Sequence, residues 1–116
     1  LNVHEGPFSI SDRNNIPLKK GMVFSNEPGF YKEDCYGIRI ENLVTADEIK
    51  FGKKKFIKIN TLTLAPYEIS LIKKNMLTID ELSWLKAYNK NLFKKASPYL
   101  LEKEKNWLYH YTVKSL

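Results

Sequence analysis

Apolar and polar residues alternate in one rhythm up to about residue 72 and in another beyond Asn75. In the first part, apolar residues come in short runs bounded by turn residues, which predicts strands. Met22-Val23-Phe24-Ser25 reads as a short strand, entered through the turn Lys19-Lys20-Gly21. The polar stretch from Tyr31 to Gly37 reads as a turn-like link to a second strand, from Gly37 to about Thr45. There Ile38 and Ile40 alternate with Arg39 and Glu41, so the isoleucines are expected in a core and the charged pair on the opposite face. Ala46-Asp47-Glu48 is expected to close that strand. Phe51-Gly52-Lys53-Lys54-Lys55 reads as a hairpin or loop tip, and Phe56 to Leu64, rich in β-branched residues, as another strand. Pro66 marks an edge or a break, with Tyr67 to Ile72 as a brief extension of the sheet.

After Asn75 the spacing becomes helical. Thr78-Ile79-Asp80-Glu81 is a capping box, in which the threonine hydroxyl and the glutamate carboxylate satisfy each other's end of a helix. Leu82, Leu85, Tyr88 and Leu92 then form one apolar stripe of a helix ending near Ala96. Ser97-Pro98 predicts a second helix start, with Leu101, Trp107, Leu108 and Tyr111 as its apolar residues. The fold class is therefore α+β, strands first and helices after. The expected division is 1–76 for the strand part and 77–116 for a helical extension.

Composition narrows the function classes. The 116 residues are 43% hydrophobic and 28% charged, ordinary for a soluble domain. No apolar run reaches the roughly 20 residues of a membrane span, and no signal peptide is visible. The chain does not open on methionine, so it is expected to be a piece of a longer protein. One cysteine, Cys35, excludes an internal disulfide and suits a reducing, cytoplasmic setting. Charge is uneven: residues 1–49 carry a net −3 and residues 50–116 a net +9. Only Arg13 and Arg39 of the nineteen basic residues are arginine, so nucleic acid is not an expected partner. Neither is a membrane.

The acidic part holds the candidate chemistry. Glu27 lies in Asn26-Glu27-Pro28-Gly29-Phe30-Tyr31, where Pro28 favours an extended glutamate and Gly29 is expected to allow a tight turn. Glu41 ends Gly37-Ile38-Arg39-Ile40-Glu41-Asn42. Two carboxylates delivered to one point by linked strands suit divalent cations or acid–base work. His4-Glu5 begins no zinc helix motif, because no second histidine follows.

Taken in order, Leu1-Asn2-Val3-His4-Glu5-Gly6-Pro7 and the two glutamate motifs resemble the C-terminal part of cytosolic-type aminopeptidase P. That is the Xaa-Pro aminopeptidase of the pita-bread metallopeptidases. Leu62-Thr63-Leu64-Ala65-Pro66 and Glu81 to Tyr88 resemble its continuation. The resemblance implies the C-terminal portion of a pita-bread domain followed by a helical, dimer-forming extension. It implies removal of an N-terminal residue when proline is second, through a water activated by two divalent ions. Manganese is expected, with zinc or cobalt as alternatives. On this resemblance Glu27 is a metal ligand that also handles the water's proton, and Glu41 is the bridging ligand. His4 supports substrate and transition state, and Arg39 steadies a carboxylate. The remaining ligands, two aspartates and a histidine, are expected ahead of Leu1, so these residues alone would be inactive. The partners implied are Xaa-Pro peptides and a second copy in a homodimer. The alternatives are a prolidase-type dipeptidase or a non-catalytic pita-bread module that binds protein.

Overall fold

A computed structural model describes residues 8–116, and His4 lies outside them. Among the described residues, five strands precede two α-helices, the α+β order that the hydrophobic rhythm predicts. The chain divides into two units, one running up to Thr63 and one from Leu64 to Leu116.

The first unit is built from β1 (Val23–Asn26), β2 (Gly29–Lys32), β3 (Tyr36–Arg39), β4 (Asn42–Phe51) and β5 (Lys54–Thr61). β4 is central, antiparallel to β1 on one side and to β5 on the other, while β2 and β3 form a separate hairpin. The turn into β1 needs Gly21, whose φ of +87° is costly for any residue with a Cβ. Alternation along β4 buries Asn42, Val44 and Ala46, and Val44 and Ala46 meet Phe24 of β1. Phe8 and Leu18 pack against this cluster, Phe8 edge-on to Phe24 at 4.8 Å. Burial of a valine or phenylalanine contributes about 1.5–3 kcal/mol, so a core this small holds only the base of the sheet. β5 is exposed along most of its length.

Three expectations for this unit are corrected. Tyr31 to Gly37 is no simple link: it supplies the ends of β2 and β3, and only Glu33-Asp34-Cys35 turn between them. The strand expected from Gly37 to Thr45 breaks at Ile40-Glu41, and β4 then runs through Ala46-Asp47-Glu48 to Phe51. Ile38 and Ile40 are 49% and 50% exposed, because the hairpin that carries Ile38 leaves the small core behind.

In the second unit α1 spans Ile79–Ala96 and α2 spans Glu102–Leu108. The capping box forms: Thr78 Oγ1 accepts from Glu81 N at 3.2 Å, and the Glu81 carboxylate accepts from Thr78 N at 2.8 Å. Leu85, Tyr88 and Leu92 of the predicted stripe are buried, and Tyr88 and Leu92 cluster with Leu108 of α2. Tyr88 is pinned at its far end, donating to Ala65 O at 2.7 Å, with Tyr67 and Trp84 stacked on its ring. Burial raises the Tyr88 phenol's pKa, keeping it neutral as that donor.

The second helix starts later than Ser97-Pro98 predicts. Pro98 has no N–H for the ladder of α1, so Ser97–Tyr99 tightens into a 3-10 turn and Leu100 is extended. α2 begins after Leu101, whose N–H is taken by the Glu104 carboxylate at 2.9 Å. Beyond Leu108 the helix widens into a π turn, Tyr109–Lys114. Asn89 of α1 donates to Thr112 O there at 2.9 Å, and Thr112 Oγ1 donates to Leu108 O at 2.6 Å. Tyr67 to Ile72 adds no strand; Ile69–Leu71 is a 3-10 turn capped by Glu68. No helix among the described residues is long and apolar enough to cross a membrane.

Candidate metal centre

Strand register is what brings the acidic residues together. β1 pairs with β4 through Asn26↔Asn42, and β2 pairs with β3 through Gly29↔Arg39. Ile40 N donates to Pro28 O at 3.1 Å between those two blocks. The three observations share one register, so residues 23–32 and 36–45 are the arms of one long antiparallel pair, interrupted where Pro28 removes a donor. Glu27 and Glu41 stand opposite each other at the interruption. Opposed residues project to the same side of a pair, and alternate residues share a face. Ser25, Glu27, Tyr31, Arg39 and Glu41 therefore belong to one face, while Phe24, Val44 and Ala46 belong to the other.

The contacts follow that placement. Glu27 Oε2 accepts from Arg39 Nη1 at 2.9 Å, and Glu41 Oε2 lies 3.9 Å from the same nitrogen. Glu27 Oε1 accepts from Ser25 Oγ at 2.6 Å. Arg39 Nε donates to Tyr31 Oη at 2.8 Å. That hydrogen bond, then the nearby carboxylates, holds the guanidinium pKa above its ordinary value, so Arg39 is a fixed cation. The Glu27 side chain is 24% exposed, against 48% for Arg39 and 50% for Glu41, so Glu27 is the most enclosed of these three charged groups. Glu27 and Glu41 line one open cleft with Ser25, Phe24 and Phe8.

Two features of the candidate site do not follow from the motifs. Tyr31 is one, since only the strand pairing brings its hydroxyl to Arg39. The other is the use of Gly29 and Gly37. Gly29 makes no tight turn; it lies in β2 without a positive φ. A Cβ on Gly29 would stand 2.6 Å from Tyr31 Oη, and one on Gly37 would stand 2.6 Å from Tyr31 Cδ1. The two glycines thus let the Tyr31 ring lie flat on the hairpin and reach Arg39. The signal was present in the alternation Glu27-x-Gly29-x-Tyr31 facing Gly37-x-Arg39-x-Glu41.

Chemically, the arrangement suits cations. Two hard carboxylate donors face one point, and a guanidinium already occupies the space between them as a stand-in for positive charge. Glu27 and Glu41 thus fit a divalent ion as ligands. Among the described residues no group of three or more metal-binding side chains gathers.

The model of metallopeptidase family M24 matches residues 1–48, and that of the C-terminal region of the same peptidases matches residues 55–114. The chain belongs to metallopeptidase family M24. It is 46% identical over 101 residues to a probable Xaa-Pro aminopeptidase P of Metarhizium acridum, covering 81% of this chain and 16% of that protein. Its identity to the probable Xaa-Pro aminopeptidase P of Coprinopsis cinerea is 44% over 115 residues, covering 93% and 18%. A crystal structure of X-prolyl aminopeptidase from Caenorhabditis elegans, described as a cytosolic enzyme with a di-nuclear active site, superposes with a TM-score of 0.85. It is 34% identical and covers 97% of this chain and 19% of that one. The family resemblance carried by the three motifs therefore stands, and with it the pita-bread fold. The chain spans less than a fifth of the length of the relatives it matches.

Proposed function

We propose that this chain supplies part of the site of a metal-dependent aminopeptidase that releases the N-terminal residue from peptides with proline second. The observation that carries the reading is the opposition of Glu27 and Glu41 across one register, with Arg39 between them. The names of the relatives supply the substrate class, and the description of the C. elegans enzyme supports a pair of ions. Glu27 and Glu41 would hold two divalent ions, manganese first and zinc or cobalt as alternatives. When bound, such ions lower the pKa of a shared water and polarise the peptide carbonyl. Glu27 has the further task of taking that water's proton. It is suited to this because its two oxygens are already oriented by separate donors, Ser25 and Arg39. Arg39, anchored by Tyr31, keeps the two carboxylates converged against their mutual repulsion. His4 supports the substrate near its proline. An Xaa-Pro bond is a tertiary amide without N–H, so recognition must use ring contacts and acceptor geometry.

The same reading places the protein in the cytoplasm, as its C. elegans neighbour is described. It also assigns residues 1–76 to the catalytic domain and 77–116 to a helical extension that joins two copies. The test uses the full-length protein, stripped of metal and reloaded with manganese, on matched Xaa-Pro and Xaa-Ala peptides. Cleavage confined to the proline peptide is expected, and Glu27→Ala or Glu41→Ala should each abolish it. Turnover retained by either variant overturns the site. His4→Ala should lower turnover with manganese still bound; loss of the metal would contradict its supporting role.

A further inference from the structure

Among the described residues, two donors of different kinds hold the Glu27 carboxylate. Arg39 reaches it from the neighbouring strand on a long side chain that is half exposed, where solvent screens the pair. Ser25 reaches it from two residues earlier on the same arm, with a single rotatable bond before its hydroxyl. Ser25 is itself half-buried, and its neighbour Phe24 is locked in the core, so the backbone that carries the hydroxyl is fixed. The bond is short, 2.6 Å, as expected for a hydroxyl donating to a carboxylate. It engages Oε1, leaving Oε2 on the side of Arg39 and Glu41.

From this geometry we infer that Ser25 is the positioning residue of Glu27: its hydroxyl holds one oxygen and so fixes the plane of the carboxylate, with the other oxygen facing the cation site. The inference rests on the proposed metal-dependent activity and adds to it a residue outside the ligand set. An unrestrained glutamate would sample other rotations of its carboxylate plane and other side-chain rotamers, and ligand geometry would be lost in part of the population. Ser25 removes that freedom at little entropic cost, because serine has so few rotamers to lose. Partners behind metal ligands commonly matter at this level.

The test compares Ser25→Ala, Ser25→Thr and Ser25→Val in the full-length protein. Threonine and valine have the same shape, so they differ at this site only in whether a hydroxyl is present. Manganese titration of the metal-free protein by calorimetry gives a readout independent of turnover. Ser25→Ala and Ser25→Val should weaken manganese binding, or lower kcat at nearly constant KM, by about tenfold. Ser25→Thr should recover both towards wild type. If threonine performs no better than valine, or alanine matches wild type in both readouts, the inference is overturned. A wild-type protein that binds manganese but leaves Xaa-Pro peptides intact overturns the proposed activity instead, and the titration still decides on Ser25.

Discussion

The two units of this chain use their polar side chains for different purposes. In the strand unit, Ser25, Glu27, Tyr31, Arg39 and Glu41 gather within seventeen residues of sequence and bond to one another on one face of a long pair. In the helical unit, besides local caps, polar bonds join distant segments: Tyr88 to Ala65, Asn89 to Thr112, Tyr111 to Glu68 at 2.6 Å, and Lys74 to Ser115. One unit gathers its charges with one another at a surface; the other uses polar groups to close itself. Their cores agree with this division. The strand unit buries Phe24, Val44 and Ala46 and leaves the β2–β3 hairpin exposed, whereas the helical unit clusters Tyr88, Leu92 and Leu108 with four further residues packed around them. A site built on a local ladder needs little core, because register and a few hydrogen bonds set its geometry. A helical unit needs more, since α2 is too short to stand alone and most helical stability comes from packing an apolar face.

The sharpest way to break this contrast is at Leu92, which is 1% exposed. Leu92→Ala should cost the helical unit about 2–5 kcal/mol, read by thermal and denaturant melts, while manganese affinity at Glu27 and Glu41 stays unchanged. Loss of metal binding in a folded variant would show that the two units do not divide their tasks. Next in size is Tyr31→Phe. Removing the hydroxyl frees Arg39 Nε without touching the core, so turnover should fall about tenfold, worth about 1.4 kcal/mol, with the melting temperature unmoved. A lower melting temperature at unchanged turnover would place Tyr31 in the fold and not in the site. Thr78→Ala removes the cap of α1 and should cost about 1 kcal/mol, measurable as a shift in melting with no kinetic effect.

The smallest effect is with pH, and it belongs to the helical unit. The pKa of Glu68 is lowered by bonds from Ser70, then from Tyr111, and that of Glu81 by bonds from Thr78. A carboxylate lowered in the folded state adds stability above its unfolded pKa and loses it as pH falls through the folded one. The helical unit should therefore soften on acidification below the ordinary glutamate range. The double change Glu68→Gln and Glu81→Gln should flatten the profile, and an unchanged slope in that variant would remove these two groups as its cause.

Much of this was legible in the chain itself, and particular residues show where legibility stopped. The α1 cap at Thr78 and Glu81, the stripe Leu85, Tyr88 and Leu92, and the strand into Glu27 are all local patterns. Periodicity and capping act over four residues, so a sequence reports them directly. The three motifs likewise marked Glu27, Arg39 and Glu41 as one group, and the three side chains do meet.

Tertiary structure decided what depends on pairing between segments. Alternation placed Arg39 and Glu41 on one face, but only the shared register of β1–β4 and β2–β3 set Glu41 opposite Glu27. The same alternation suggested a core for Ile38 and Ile40, and burial failed there because periodicity gives a face without saying what covers it. Tyr31 lies flat over Gly29 and Gly37 only because two strands bring those glycines under one ring. The late start of α2 reflects a competition that no local pattern ranks, between proline at a favoured first position and proline breaking the ladder behind it. Local sequence fixed which residues alternate, cap and turn, since those forces act along the chain. Which carboxylates meet was left to pairing across it.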